Sequence, residues 1–453
     1  MSPARPSRFT ASAALPVSAA EAFAWHTRPG AFERLVPPWE AVRVLERGNG
    51  LENGSVVVLE LRRGPIRRRW VARHHDVVPG VSFSDMMEKG PFAEWRHVHR
   101  FFDAPGGAGG LSDEIEYRLP FGPLGRPAGP YVERTLRRSF AFRHRRLVHD
   151  LSRHRAAPGR LRIGVTGASG VIGSALCAFL TSGGHEVVRV TRSPRQGADV
   201  RISPTGVVED PGRLEGLDAV VHLAGESISR RWTRGRKREI ERSRIEGTHA
   251  LVETLTQLES PPRVLVSASA VGFYGDRGDE LLTEESGAGG DFLAQVCQGW
   301  EAATFPARNA GMRVVMTRFG VVLEALLPRM LVPFRLGLGG PAGSGSQWVS
   351  WVTLDDLLGA VLHALTDDSL VGPVNVVAPG AVTNADLSRT LGAVLRRPAR
   401  MRVPGFGARL LFGELADGLL LASQHAVPAV LSESSFEFAY PTLEGALRHL
   451  LGR

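Results

Sequence analysis

One octapeptide limits what this chain can fold into more than any other: Thr166-Gly-Ala-Ser-Gly-Val-Ile-Gly173. It closes a short apolar run, Leu161–Thr166, and opens a stretch of helical character, Val171–Ser182, ahead of a second apolar run, Glu186–Arg192. Strand, glycine turn, helix and strand within about thirty residues make a βαβ unit, whose two strands must lie parallel. Gly167 permits the tight turn, Gly170 removes a Cβ so that the backbone can approach a diphosphate, and Gly173 lets the helix pack closely. The first N–H groups of the helix then carry partial positive charge outward, which suits phosphate. The pattern predicts a dinucleotide held by Thr166, Gly167, Ser169, Gly170, Val171, Ile172 and Gly173.

The second strand says which dinucleotide. A site for NAD places Asp or Glu about twenty residues past the glycines, to accept from the ribose hydroxyls. Here the strand ends Thr191-Arg-Ser193. A carboxylate would repel a 2′-phosphate, whereas Arg192 and Ser193 can pair with one and hydrogen-bond to it. NADP(H) is therefore favoured over NAD(H).

Strands and helices continue to alternate downstream. Asp218–Leu223, Arg263–Ser267 and Met312–Arg318 read as buried strands, with helices near Arg234–Leu258 and Phe292–Asn309. This is the signature of a doubly wound parallel α/β sheet of Rossmann type. Upstream of residue 155 the pattern differs: Ser55–Leu61 and Arg96–Phe102 alternate apolar with polar residues, as half-buried antiparallel strands do. Pro105–Gly110 is a turn, helices fall near Ala19–Trp25 and over Tyr131–His154, and Arg153–Arg160, with Pro158-Gly159, is a linker. The expected organisation is an α+β domain over 1–155, a nucleotide-binding domain over 161–400, and a small C-terminal substrate-side segment over 401–453 with a helix near Gly407–Ala422.

A chain of 453 residues is too long for one ordinary core, which agrees with several domains. Its net charge of +9 is concentrated in the first 160 residues, an asymmetry that can mark a nucleic-acid surface. Only Lys89 and Lys237 are lysines, and the arginines alternate with apolar residues instead of forming a basic arm, which argues against a nucleic-acid role. Two cysteines, Cys177 and Cys297, cannot build a disulfide framework and suit a reducing compartment. No apolar run is long enough for a membrane span, and no apolar stretch marks a signal peptide, so a cytoplasmic protein is expected. The oligomeric state stays open.

Several separate motifs resemble the extended short-chain dehydrogenases/reductases: the glycine spacing, His222-Leu-Ala-Gly225, Ser267-Ala-Ser269 and Tyr274-Gly275. Leu223-Ala-Gly-Glu-Ser-Ile228, Arg231-Trp-Thr233, Ser243-Arg-Ile245, Asp291-Phe-Leu-Ala294 with Trp300-Glu301, and Phe436–Leu443 resemble its epimerase-like branch over residues 161–453. The resemblance implies NAD(P) chemistry on a small-molecule substrate, with Leu223, Ala224, Gly225 and Ser267 at the cofactor. The N-terminal part is similar to START and polyketide-cyclase helix-grip domains, on Pro16-Val17, Leu35-Val-Pro-Pro38, Gly90-Pro-Phe92 with Trp95, His97-x-His99 and Asp113–Pro120. That resemblance implies a sheet around a long helix and a cavity for an apolar ligand.

Members of the dehydrogenase family typically use a Tyr acidified by a Lys four residues later, with a Ser orienting the substrate oxygen. This chain has no Tyr-x-x-x-Lys pair; the helix that would carry it places Leu293 and Cys297 at those positions. Ser269 matches the orienting serine. Tyr274, and Glu226 after the fourth strand, are alternative acid–base groups; Glu226 can equally cap a helix or pair with Arg230-Arg231. Either Asp355 or Asp356 is expected to cap a late helix. His97 and His99 share a strand face, as metal ligands would, but spacing supplies no third ligand and no metal site is expected.

Two functions fit: an NADP-dependent oxidoreductase or epimerase-like enzyme, or a catalytically degenerate NADP(H) sensor coupled to binding of a lipid-like ligand.

Overall fold

The computed structural model describes residues 6–157, 159–194, 199–406, 410 and 413–453. It resolves into one unit built on residues up to 158 and another built on 159–177 and 185–448. Pro158, in the expected linker, lies outside the described residues.

The first unit contains seven strands: β1 (Ser7–Leu15), β2 (Ala41–Glu46), β3 (Val56–Arg63), β4 (Ile66–Val78), β5 (Ser82–Lys89), β6 (Glu94–Asp103) and β7 (Gly109–Arg118). They pair antiparallel in the order β1-β7-β6-β5-β4-β3-β2. Along β7 buried and half-buried positions alternate from Leu111 onward, the period of two that turns one face of a strand to the core. Three helices complete the unit: α1 (Ala19–Thr27), α2 (Ala31–Leu35) and the long α3 (Gly129–Ala156). Leu136, Phe140, Leu147 and Leu151 recur at helical spacing on α3 and are buried. They pack with Phe9, Ile115 and Tyr117 at one end and with Phe83, Phe101 and Leu111 at the other. These are the antiparallel strands that the alternation predicted, in the α+β helix-grip form that the resemblance implied.

A buried ion pair ties α2 to α3. Arg34 Nε and Nη2 donate to Asp150 Oδ2 and Oδ1, both at 2.7 Å. Both side chains are almost fully buried.

The second unit is a seven-stranded parallel sheet. Its elements are β8 (Arg162–Thr166), α4 (Val171–Ser182), β9 (Glu186–Thr191), β10 (Val200–Arg201), β11 (Ala219–His222), α5 (Arg234–Thr256), β12 (Val264–Ala270), α6 (Phe292–Ala302), α7 (Phe305–Asn309), β13 (Arg313–Phe319), α8 (Leu354–Thr366) and β14 (Gly372–Val376). The strand order β10-β9-β8-β11-β12-β13-β14 reverses direction between β8 and β11. Both strands are buried on two faces, which is why their runs are continuously apolar. The single helix expected over Phe292–Asn309 is two, broken at Ala303-Thr304 just ahead of Pro306. A proline lacks the N–H that a continuing helix needs there and crowds the preceding turn.

The C-terminal segment, as far as Arg448, folds into the second unit. His425–Ala426 pairs with the short strand Leu281–Leu282, and Ser350 Oγ donates to the Gln424 carbonyl at 2.7 Å. The Asp356 carboxylate accepts from the backbone N–H groups of Ala439 and Tyr440, at 2.7 and 3.1 Å. The cap of α8 is therefore Thr353, whose Oγ1 accepts from Asp356 N, and neither Asp355 nor Asp356 caps it. Part of the expected helix Gly407–Ala422 lies outside the described residues (407–409 and 411–412); the rest is a turn of α-helix, Glu414–Ala416, and a π-helical turn, Asp417–Leu421. Among the described residues no helix is long and apolar enough to cross a membrane.

Removing one partner of a buried ion pair strands the other charge. Asp150→Asn is expected to lower the unfolding free energy by about 3–5 kcal/mol in urea denaturation. A loss under about 1 kcal/mol would mean that Arg34 is compensated elsewhere.

Candidate functional site

Where the strand order of an open parallel sheet reverses, the loops after the two flanking strands part and leave a crevice. Here that crevice lies beyond the C-terminal ends of β8 and β11. It is lined by Gly167, Ser169, Gly170, Thr191, Arg192, His222, Leu223, Ala224, Gly225 and Glu226, with Ile202–Pro204, Gly206, Ser243 and Gly247 beside them.

Each glycine of the turn meets different surroundings. Gly167 has φ +66°, a left-handed conformation natural to glycine, and a Cβ there would sit 2.7 Å from the Leu223 carbonyl. A Cβ on Gly173 would stand 2.2 Å from the Gly167 carbonyl, so this residue lets α4 close on the glycine turn itself. Gly170 faces space: the nearest atom to a Cβ there is the Gly167 carbonyl at 3.3 Å. Ser174 N donates to the Gly170 carbonyl at 2.9 Å, and helix N–H groups ahead of the first such bond are the ones left for a ligand. A concave backbone with an open glycine and a helix N-terminus fits a diphosphate.

Thr166 lies beneath the crevice, fully buried. Its Oγ1 accepts from Leu223 N and Ala224 N, at 3.1 and 3.2 Å, and stands 2.8 Å from His222 Nδ1. The hydroxyl proton is left for His222 Nδ1, so the neutral ring carries its own proton on Nε2 and donates to Thr248 Oγ1 at 2.9 Å. Burial, reinforced by the charge of Arg244, pushes the imidazole down to about 4. Ser267 is likewise buried, and neither it nor Val171, Ile172, Gly173 or Ser193 lines the crevice.

Arg192 reaches across the crevice edge. Its Nη1 is 2.5 Å from Glu226 Oε1, and Arg236 Nη2 is 3.2 Å from Glu226 Oε2. Partial burial works against ionisation of Glu226, but Arg192 and then Arg236 outweigh it and hold the carboxyl below its usual range. Glu226 therefore has no proton to lend near neutral pH, and its partners are Arg192 and Arg236 instead of the Arg230-Arg231 doublet. Its loop is fixed by Ser243 Oγ, which accepts from Glu226 N at 3.0 Å, and by Arg244, which donates to the Glu226 carbonyl at 3.0 Å.

Ser269 and Tyr274 come together in a buried polar network at the ends of β12 and β13. Ser269 Oγ donates to Glu301 Oε1 at 2.6 Å. Arg318, the register partner of Ser269, grips Glu301 through Nε and Nη2, both at 2.8 Å. Arg318 Nη1 also donates to Tyr274 Oη at 3.0 Å, and Tyr274 donates to Asn375 Oδ1 at 2.8 Å. Burial raises the Tyr274 phenol, against the opposing pull of Arg318. Leu293 and Cys297 are buried on α6, and burial, then Glu301, pushes the Cys297 thiol up to about 12. Cys177, also buried, is raised to about 11, again mainly by burial. Arg318 and Arg236 were not singled out from the sequence; Arg318 is a charge at a buried position late in a strand whose only other charge is its first residue, Arg313, a signal that could have found it.

Comparison with known proteins follows the same division. A family model described as NAD dependent epimerase/dehydratase family matches residues 163–378. Polyketide cyclase / dehydrase and lipid transport matches 15–142, and a domain of unknown function, DUF1731, matches 403–450. The epimerase family protein Mb2239 of Mycobacterium bovis is 39% identical over 296 residues, 64% of this chain and 98% of the relative. The chain belongs to the epimerase family. A crystal structure described as the nucleoside-diphosphate sugar epimerase of Corynebacterium glutamicum matches 98% of this family member and 90% of its own chain, at 36% identity and a TM-score of 0.80. The human epimerase family protein SDR39U1, crystallised with NADPH, matches 64% of the present chain and 99% of its own, at 36% identity and a TM-score of 0.60.

The low value at His222 has a consequence for stability. The unfolded histidine takes up a proton near 6.5 and the folded one only near 4. Stability is therefore retained above pH 6.5 and falls as pH drops from 6.5 towards 4, by about 3 kcal/mol from this residue. His222→Gln is expected to flatten the pH dependence of unfolding in that window by about one proton, measured by urea titrations at successive pH values.

Proposed function

We propose that this epimerase-family protein binds NADP(H) in the crevice between the β8 and β11 loops and uses it on a carbonyl or alcohol carbon of a small molecule. The carrying observation is the cation at the end of β9: Arg192 stands where a site for NAD would carry a carboxylate. Gly167, Ser169, Gly170 and the N-terminus of α4 would hold the diphosphate. Arg192, with Arg236 behind it on Glu226, would meet the 2′-phosphate, and Leu223–Gly225 would form the facing wall. When bound, the cofactor supplies hydride transfer. The human relative crystallised with NADPH supports this assignment.

The chain's own part is orientation and charge. Glu301 and Arg318 lock Ser269 in one rotamer, and Asn375 does the same for Tyr274. We assign Ser269 and Tyr274 as positioning residues that keep the ends of β12 and β13 rigid beside the reacting carbon. With Leu293 and Cys297 at the usual proton-relay positions, the proton must come from the substrate side or from water. The first unit, by its likeness to lipid-transport folds, is proposed to take an apolar small molecule.

The burial of Ser269 and Tyr274 also favours an alternative, an NADP(H)-binding sensor without turnover. Loss of NADPH absorbance across a panel of carbonyl compounds separates the two, since only the enzyme consumes the cofactor. For the enzyme, Ser269→Ala is expected to lower kcat by roughly ten- to a thousandfold, with KM for NADPH within about threefold. In titration calorimetry Arg192→Ala should raise the Kd for NADPH by about tenfold or more and that for NADH by less than about threefold. Equal losses for both nucleotides would remove Arg192 from the phosphate site.

A further inference from the structure

The interior of the first unit holds a second constellation, away from any nucleotide. His97 and His99 alternate along β6 and share a face. The sheet register sets Asp85 of β5 directly opposite His97, and Asp113 of β7 directly opposite His99. All four side chains converge, and the third ligand that sequence spacing did not supply is Asp85, twelve residues upstream on the neighbouring strand.

We propose that Asp85, His97 and His99 bind one divalent transition-metal ion, with Asp113 as the carboxylate that orients both histidines. One donor atom from each of the three ligands lies within 4.8 Å of the others. Asp85 Oδ2 is 3.2 Å from His97 Nδ1 and 3.8 Å from His99 Nε2. Donors bonded to one ion at zinc-like distances stand about 3.3 Å apart, and Asp85 already stands at about that distance from His97 and within about half an ångström of it from His99.

Behind the ligands the arrangement is that of an outer shell. The far ring nitrogens of both histidines meet the same buried oxygen: Asp113 Oδ1 is 2.9 Å from His97 Nε2 and 2.7 Å from His99 Nδ1. A carboxylate on the ring nitrogen remote from the metal is how metal-binding histidines are fixed in tautomer and orientation. The other Asp113 oxygen is held by His144 Nε2 at 2.6 Å, from α3.

Charge points the same way. Among the described residues, Asp85 and Asp113 form ion pairs with histidines and with no Arg or Lys. Asp85 and Asp113 bring two carboxylates to the histidine pair, a negative charge that a dication offsets. Two histidines and one carboxylate leave coordination positions open for water or a ligand oxygen, the pattern of iron(II) and catalytic zinc sites. Asp85 and His99 are each partly exposed, at 19% and 13%, which gives the ion an entry path.

The test uses the untagged full chain, stripped with a chelator and titrated with Co²⁺ as the probe. One ion taken up per chain, with visible d–d bands, is the expected result. Asp85→Asn and His99→Gln should abolish the bands, and Asp113→Asn should weaken binding by about 10- to 100-fold. A chain that takes up no Co²⁺ overturns the site whatever the variants do. Bands that survive both Asp85→Asn and His99→Gln, with each variant folded by circular dichroism, overturn it equally.

Discussion

The carbonyl of Gly167 fills the space that any side chain at residue 173 would need, 2.2 Å from where its first carbon would stand. That approach lets α4 begin directly on the turn leaving β8. The same turn, through its positive φ, lies so close to the loop leaving β11 that a Cβ on Gly167 would stand 2.7 Å from the Leu223 carbonyl. Helix start and both crevice walls are thus fixed by backbone packed on backbone, which cannot relax around a methyl group. The position of every crevice residue, including Arg192 at the end of the adjoining strand, follows from that contact.

Carboxylates inside the two units meet contrasting partners. Asp150 and Glu301 each receive a fork of two hydrogen bonds from an arginine, Arg34 and Arg318, in geometry that meets both oxygens. Asp85 and Asp113 have only imidazoles. In a chain with so many arginines that choice is an exception, and it coincides with the cluster whose donors converge on one point.

Local signals carried much of the architecture. The alternation along β3 and β6, the helical stripe on α3 and the glycine turn ahead of α4 all act within a few residues, where periodicity can express them. What escaped depends on pairing between distant segments. Glu226 becomes the partner of Arg192 only because the loops after β9 and β11 meet, thirty-four residues apart in sequence. Ser269 was chosen for its place at a strand end, and its proton goes to Glu301 because β12, β13 and α6 converge there. Asp85 could not be matched to His97 without knowing that β5 and β6 pair in that register. The break in the helix after Ala302 was within reach, since Pro306 stands in the sequence.

Both native thiols are buried and stay protonated far above neutral pH. Maleimide reagents attack the thiolate, so neither position competes for them in the folded chain. A single cysteine engineered onto any exposed strand or helix would then carry a fluorophore or spin label alone, making the wild-type background a ready host for distance measurements without prior removal of its own sulfurs.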